Sequence, residues 1–123
     1  MESDDSELLD VLSAAYRVRY HHHGRRVRLN FLINAKSGLC AEDCAYCSQA
    51  KNSKAAISKY PLVDREQLLD GARVAAERKA STYCIVISGR GPTQRDLDHI
   101  GETVAEIKRI APNLKICVSP GLL

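Results

Sequence analysis

Tryptophan is absent, phenylalanine and methionine each occur once, and only five tyrosines complete the aromatic set. A nucleic-acid surface needs a basic stripe with stacking rings interleaved, and neither part of that pattern is here. Charge of one sign is also scarce. Eighteen Lys and Arg against fifteen Asp and Glu leave a formal net charge of +3. The basic residues Arg25, Arg26 and Arg28 are offset by an acidic start, Glu2, Asp4, Asp5 and Glu7. No stretch approaches the roughly 18 consecutive apolar residues that span a bilayer, so no membrane segment is expected. The acidic N-terminus lacks the apolar core of a secretory signal, and a cytoplasmic location is expected. No repeat, low-complexity tract or Gly/Ser linker divides the chain. At 123 residues, 45% hydrophobic and 27% charged, it has the balance of a globular protein with room for one small domain.

Cysteine is what stands out. There are five, an odd number, and three of them fall within Cys40–Cys47. Such crowding suits metal chemistry in a reducing compartment better than a disulfide framework.

The apolar periodicity places these cysteines on a frame. A helix is expected over about residues 5–21, capped by Asp4 with Glu7, with Leu8, Leu12, Ala15 and Tyr16 on one face. His21, His22, His23 and Gly24 close it. Imidazoles suit the negative end of a helix dipole, and side chains about 100° apart do not converge easily on one ion. A strand over about 27–34 follows, in which Val27, Leu29, Phe31 and Ile33 alternate with Arg26, Arg28 and Asn30. The next 30 or so residues, from Ala35 to Val63, read as a loop, and loops that long inside a compact domain tend to be functional.

A second helix starts at Asp64, capped with Gln67, and presents Leu68, Leu69, Ala72, Ala75 and Ala76. A second strand covers about 82–88. A third helix, capped by Thr93 and Asp96, carries the stripe Leu97, Ile100, Val104, Ile107 and Ala111. Pro112 stops it, and a third strand runs over about 114–119. Alternating strands and helices argue for an α/β fold with a parallel sheet. Three strands with few helices to shield them read as a slice of a larger α/β architecture, with 1–26 as N-terminal helix and lead-in and 27–123 as an incomplete domain.

The run Gly38-Leu39-Cys40-Ala41-Glu42-Asp43-Cys44-Ala45-Tyr46-Cys47-Ser48-Gln49 holds the chemistry. Thiols spaced C-x3-C-x2-C just past a strand can wrap one polynuclear centre. A 4Fe–4S cluster normally takes four thiolates, so three would leave one iron open to an exogenous ligand. A structural zinc site would need a second ligand pair, which the sequence does not offer at the usual spacing. On spacing alone an open cluster, a zinc site and an ordinary ferredoxin-like cluster all remain. Cys84 and Cys117 lie in the second and third strands. Strand alternation sets them opposite the bulky residues Tyr83, Ile85 and Ile87 and Leu114, Ile116 and Val118. They share one face, either as small buried hydrophobes or as ligands of a shared centre.

C-x3-C-x2-C with an aromatic before the last cysteine resembles the radical S-adenosylmethionine (SAM) superfamily. The wider run from Asn34 to Gln49 closely resembles the biotin synthase family. The resemblance extends from about Ala14 to Leu123 and includes Thr82-Tyr83-Cys84-Ile85-Val86 and Ser88-Gly89-Arg90-Gly91-Pro92. It implies the N-terminal part of a (β/α)8 TIM-type barrel, with its chemistry at the C-terminal ends of the strands.

By the same resemblance, Cys40, Cys44 and Cys47 hold a 4Fe–4S cluster with SAM on its open iron. Cys84 and Cys117 are two ligands of a 2Fe–2S cluster, completed by another Cys and an Arg. The implied activity is a sulfurtransferase that cleaves SAM to a 5′-deoxyadenosyl radical, abstracts hydrogen from dethiobiotin and inserts sulfur to form biotin. A low-potential donor such as flavodoxin or ferredoxin, and a homodimer of the full-length enzyme, are implied with it, and this segment alone is expected to be inactive. Tyr46 becomes a candidate for packing near adenine, or a ring shielding the cluster. Ser88 and Gly89 become candidates near the SAM amino group, or a plain turn. The alternatives are another small-substrate radical SAM enzyme and a non-catalytic zinc or iron–sulfur module. Glu42 and Asp43 are expected to wall the loop, His99 to be solvated, and Lys36 and Ser37 have no role derivable from sequence.

Overall fold

The computed structural model describes residues 4–38 and 40–121; Glu2 of the acidic start and Leu39 of the cysteine run lie outside them. Asp4 caps a short 3-10 turn, Asp5–Glu7, in which the reciprocal Asp4–Glu7 bonds both form. Helix α1 then runs Leu8–His23, two residues further than expected, with the three His side chains forming its last turn. The Gly24 amide closes it on the Tyr20 carbonyl at 2.8 Å. The apolar face assigned to this helix is present but uncovered. Leu8, Leu12 and Tyr16 are all more than half exposed, and α1 has no buried residue.

Strand β1 occupies Asn30–Lys36, shifted toward the C-terminus of its expected span. Val27 and Leu29 are 71% and 56% exposed, so the alternation they share with Phe31 and Ile33 is a lead-in and not part of the paired strand. Strand β2, Thr82–Ile87, and β3, Lys115–Ser119, complete a three-stranded parallel sheet in the order β1-β2-β3. The register runs Leu32↔Cys84↔Cys117 and Asn34↔Val86↔Ser119, with an irregularity between Asn34 and Lys36 that slides the end of β1 against Ile87.

The connections are helices α2, Arg65–Glu77, and α3, Gln94–Ile110. Both start with the reciprocal caps that the sequence announces, Asp64 with Gln67 and Thr93 with Asp96. These helices cover one face of the sheet. Tyr83 and Ile85 are fully buried there, with Ile87 beside them, against Leu68, Leu69, Ala72 and Ala75 of α2 and Ile100 and Ile107 of α3. Ala76 points outward and Leu97 is 40% exposed. Thr103 is fully buried in their stead, its hydroxyl donating to the His99 carbonyl at 2.7 Å, so it adds no unpaired polar group to the core. His99 is not a free surface side chain as expected. It is partly buried, with Nε2 3.2 Å from the Val63 carbonyl, and helps dock the residues before α2 onto α3.

The opposite face of the sheet carries Leu32, Asn34, Cys84, Val86, Cys117 and Ser119, none of them buried. No helix among the described residues is long and apolar enough to cross a membrane.

Candidate metal centre

The cysteine run leaves the C-terminal end of β1 and returns to the body at Tyr60. Ser37 and Tyr60 exchange both backbone bonds, at 3.1 and 3.0 Å, closing the excursion at its base. The Tyr60 hydroxyl donates to the Asn34 carbonyl at 2.7 Å and the Val63 amide to the Ala35 carbonyl at 2.8 Å, so the returning strand is stitched along β1. Inside, the path is a series of tight turns. The Cys47 amide donates to the Cys44 carbonyl at 3.0 Å, the Ala50 amide to the Cys47 carbonyl at 3.1 Å, and the Lys51 amide to the Glu42 carbonyl at 2.8 Å. Cys44 and Cys47 thus sit at the two ends of one hydrogen-bonded turn, and their x2 spacing is the length of that turn.

All three thiols are free. Cys44 is exposed, and Cys40 and Cys47 are half-buried. Among the described residues no three His, Cys, Asp or Glu side chains are gathered closely enough to hold an ion. Thiol ligands without a metal have nothing to draw them together, and closure of such a loop is part of binding.

The second pair is held more firmly. Cys84 and Cys117 are register partners on adjacent parallel strands, a separation of about 4.8 Å between chains. Burial, with the neighbouring Cys117 thiol adding to it, pushes the Cys84 thiol up to about 11. Neither is joined in a disulfide.

Around the loop the structure engages residues in ways the sequence did not indicate. Gly38 is buried with φ +65, and a Cβ there would lie 2.6 Å from Lys59 Cγ, so only glycine fits this bend. The Ser88 hydroxyl, buried just beyond β2, donates to the Gly38 carbonyl. Gly89 follows at φ +141, a conformation L side chains rarely adopt. Tyr46 is 95% exposed. Lys36 pairs with Asp96 at 3.5 Å, joining the end of β1 to the first turn of α3. Glu42 lies 3.9 Å from Arg90, an ion pair between the cysteine loop and the residues after β2.

Comparison with known proteins decides the relationship. The biotin synthase of Staphylococcus epidermidis (strain ATCC 12228 / FDA PCI 1200) is 52% identical over 121 residues, 98% of this chain and 38% of its own length. Those of Bacillus cereus (strain AH187) and Bacillus cytotoxicus are each 50% identical over 123 residues, all of this chain and 37% of theirs. The chain belongs to the biotin synthase family. It spans a little over a third of the length of these biotin synthases. No family model matches it.

The donor sets suit the iron–sulfur groups that the biotin synthase family implies. Three accessible thiols lie in one turn-rich loop, and a facing pair lies on the open side of the sheet. Sequence reasoning missed Gln49, Asn34 and Tyr60, which tie the loop to the sheet. Their role is a matter of long-range hydrogen bonds, and no local pattern encodes those.

Proposed function

We propose that the protein to which this chain belongs is a radical SAM sulfurtransferase of the biotin synthase type, which inserts sulfur into dethiobiotin to give biotin. The observation that carries this reading is the direct pairing of Cys84 with Cys117, on the same sheet whose first strand leads into the C-x3-C-x2-C loop. A module with one structural metal accounts for the loop and leaves the paired thiols without a purpose. The fold reading that goes with it is the opening portion of a (β/α)8 barrel. The uncovered face with Cys84 and Cys117 is then its interior, and the cysteine loop lies at the C-terminal ends of its strands.

In this reading Cys40, Cys44 and Cys47 hold a 4Fe–4S cluster with SAM as its further ligand, and Cys84 and Cys117 supply two ligands of a 2Fe–2S cluster. When bound, the first group supplies electrons for reductive cleavage of SAM to a hydrogen-abstracting radical, and the second supplies sulfur. The chain's own part is placement. Strand β1 and the Ser37–Tyr60 bridge fix the root of the loop, and β2 and β3 fix the second thiol pair as register partners. Tyr46, with its ring exposed beside Cys47, covers the adenine. Ser88 orients the loop through Gly38, and Gly89 brings bare backbone toward the SAM amino group. A low-potential donor such as flavodoxin or ferredoxin, and a homodimer, complete the proposal for the full-length enzyme. The 123 residues by themselves are not expected to turn over dethiobiotin.

The test is anaerobic reconstitution with iron and sulfide, followed by metal and sulfide analysis of the parent chain and of a Cys40→Ala, Cys44→Ala, Cys47→Ala triple variant. The reading expects equimolar iron and sulfide in the parent, lost in the variant. Tight zinc with no sulfide would overturn it.

A further inference from the structure

The cysteine loop is closed at its base by Ser37 and Tyr60, but it is also tied across its interior by one side chain. Gln49, two residues past Cys47, folds back so that its Oε1 accepts from the Gly38 amide at 2.8 Å, while its Nε2 donates to Asn34 Oδ1 at 3.4 Å. Gly38 lies two residues before Cys40. The amide of Gln49 therefore joins the residues flanking the first and last thiols and encloses all three between two positions that are eleven apart in sequence.

Gly38 is buried, so both its polar backbone groups need partners. Its carbonyl is met by the Ser88 hydroxyl from the end of β2, and, among the described residues, its amide by Gln49. Among the described residues, the next closures of the span between Gly38 and residue 49 are the Ser37–Tyr60 bridge and the Lys51–Glu42 bond.

We infer that Gln49 is a positioning residue for the three-thiol site: its side-chain amide ties Gly38 to the far side of Cys47 and shortens the loop that carries Cys40, Cys44 and Cys47 before a cluster arrives, so that less closure is left to be made on binding. The inference rests on the iron–sulfur reading given above. Its physical basis is preorganisation. The entropy of drawing the two ends of the segment together is lost on folding, so it is not charged against cluster binding. Outer residues that orient metal ligands typically change affinity by about 10–100-fold when removed. Because Gln49 acts through backbone and not on sulfur, the lower end, about tenfold, applies.

Two variants separate positioning from bulk structure. Gln49→Ala removes both bonds. Gln49→Glu keeps the acceptor for the Gly38 amide and gives up only the longer bond to Asn34. In the metal-free chain, hydrogen exchange at the Gly38 amide should quicken in Q49A and stay slow in Q49E; leaving that buried amide without its partner should also lower the melting temperature of Q49A by a few degrees, while Q49E stays with the parent. After anaerobic reconstitution, Q49A should yield its iron to a ferrous chelator about tenfold more readily than the parent. Its reduced cluster should also give a broadened EPR line, and Q49E should restore both properties. Equal iron retention by parent and Q49A would overturn the inference, and so would losses in Q49A and Q49E that merely follow a lowered melting temperature. A parent chain that takes up no iron–sulfur cluster at all would instead sink the functional reading, and this inference with it.

Discussion

Replacing Gly71 by alanine sets two effects of opposite sign against each other, and the structure says which prevails. Gly71 lies within α2, where alanine is intrinsically the better helix former by about 1 kcal/mol. The new Cβ, however, would stand 2.3 Å from the Tyr83 hydroxyl and 3.0 Å from its Cζ. Tyr83 cannot swing aside cheaply, because it is fully buried and its hydroxyl donates to the Leu68 carbonyl at 3.1 Å. Overpacking a core costs about 1–3 kcal/mol, and stranding a buried hydroxyl costs about as much again. Set against the helix gain, a net loss of about 3 kcal/mol remains, or a fall of roughly 1.5 M in a urea midpoint.

Gly101 is the control. It lies within α3 with nothing within 4 Å of its hypothetical Cβ, so Gly101→Ala should stabilise by about 1 kcal/mol. Adding Tyr83→Phe to Gly71→Ala removes the nearest clashing atom and should recover part of the loss, a non-additivity visible in a double-mutant cycle. Urea unfolding followed at 222 nm reads all four chains. A Gly71→Ala chain as stable as the parent, or strict additivity with Tyr83→Phe, would refute the packing argument.

Asp96 is held below the usual carboxylate range, first by the Thr93 backbone amide; burial opposes this, and the Thr93 hydroxyl and Lys36 add to the lowering. A depressed folded-state value means the stabilisation is present above the unfolded value of 3.8 and is lost as pH falls through the lowered one. Asp96→Asn should therefore cost about 1 kcal/mol near neutrality, with the difference vanishing in acid, as read by urea midpoints across pH. Asp64→Ala removes the cap of α2, whose side chain accepts from the Gln67 amide at 2.8 Å, and should cost about 1 kcal/mol in the same assay. Mild oxidation of the metal-free chain with diamide should link Cys84 to Cys117, since register partners at about 4.8 Å fall within disulfide reach. Peptide mapping that finds either thiol joined to the loop cysteines instead would contradict the strand register.

The parts of this molecule legible in sequence are those governed by local chemistry. Asp64 with Gln67 and Thr93 with Asp96 mark where α2 and α3 begin because a cap is a contact three residues long. The alternation of Tyr83, Ile85 and Ile87 with Cys84 and Val86 foretells which side of β2 is buried, and it carries Cys84 to the face where Cys117 also lies. The same alternation misleads at Val27 and Leu29, because pairing with β2 begins only at Asn30 and period two without a partner strand is only extended chain. Lys36 and Asp96, or Gln49 and Gly38, are linked by the path of the fold and leave no periodic trace. The cysteine spacing points in sequence to metal chemistry. Which metal such a spacing would take depends on what fills the remaining coordination position, and no local pattern encodes that.

The most direct test of the account is the EPR spectrum of the anaerobically reconstituted, dithionite-reduced chain, recorded with and without SAM. A 4Fe–4S signal whose line shape changes on adding SAM, and which disappears when Cys40, Cys44 and Cys47 are replaced, is the predicted result. An iron–sulfur spectrum indifferent to SAM, or a chain that binds only zinc through those cysteines, would contradict it.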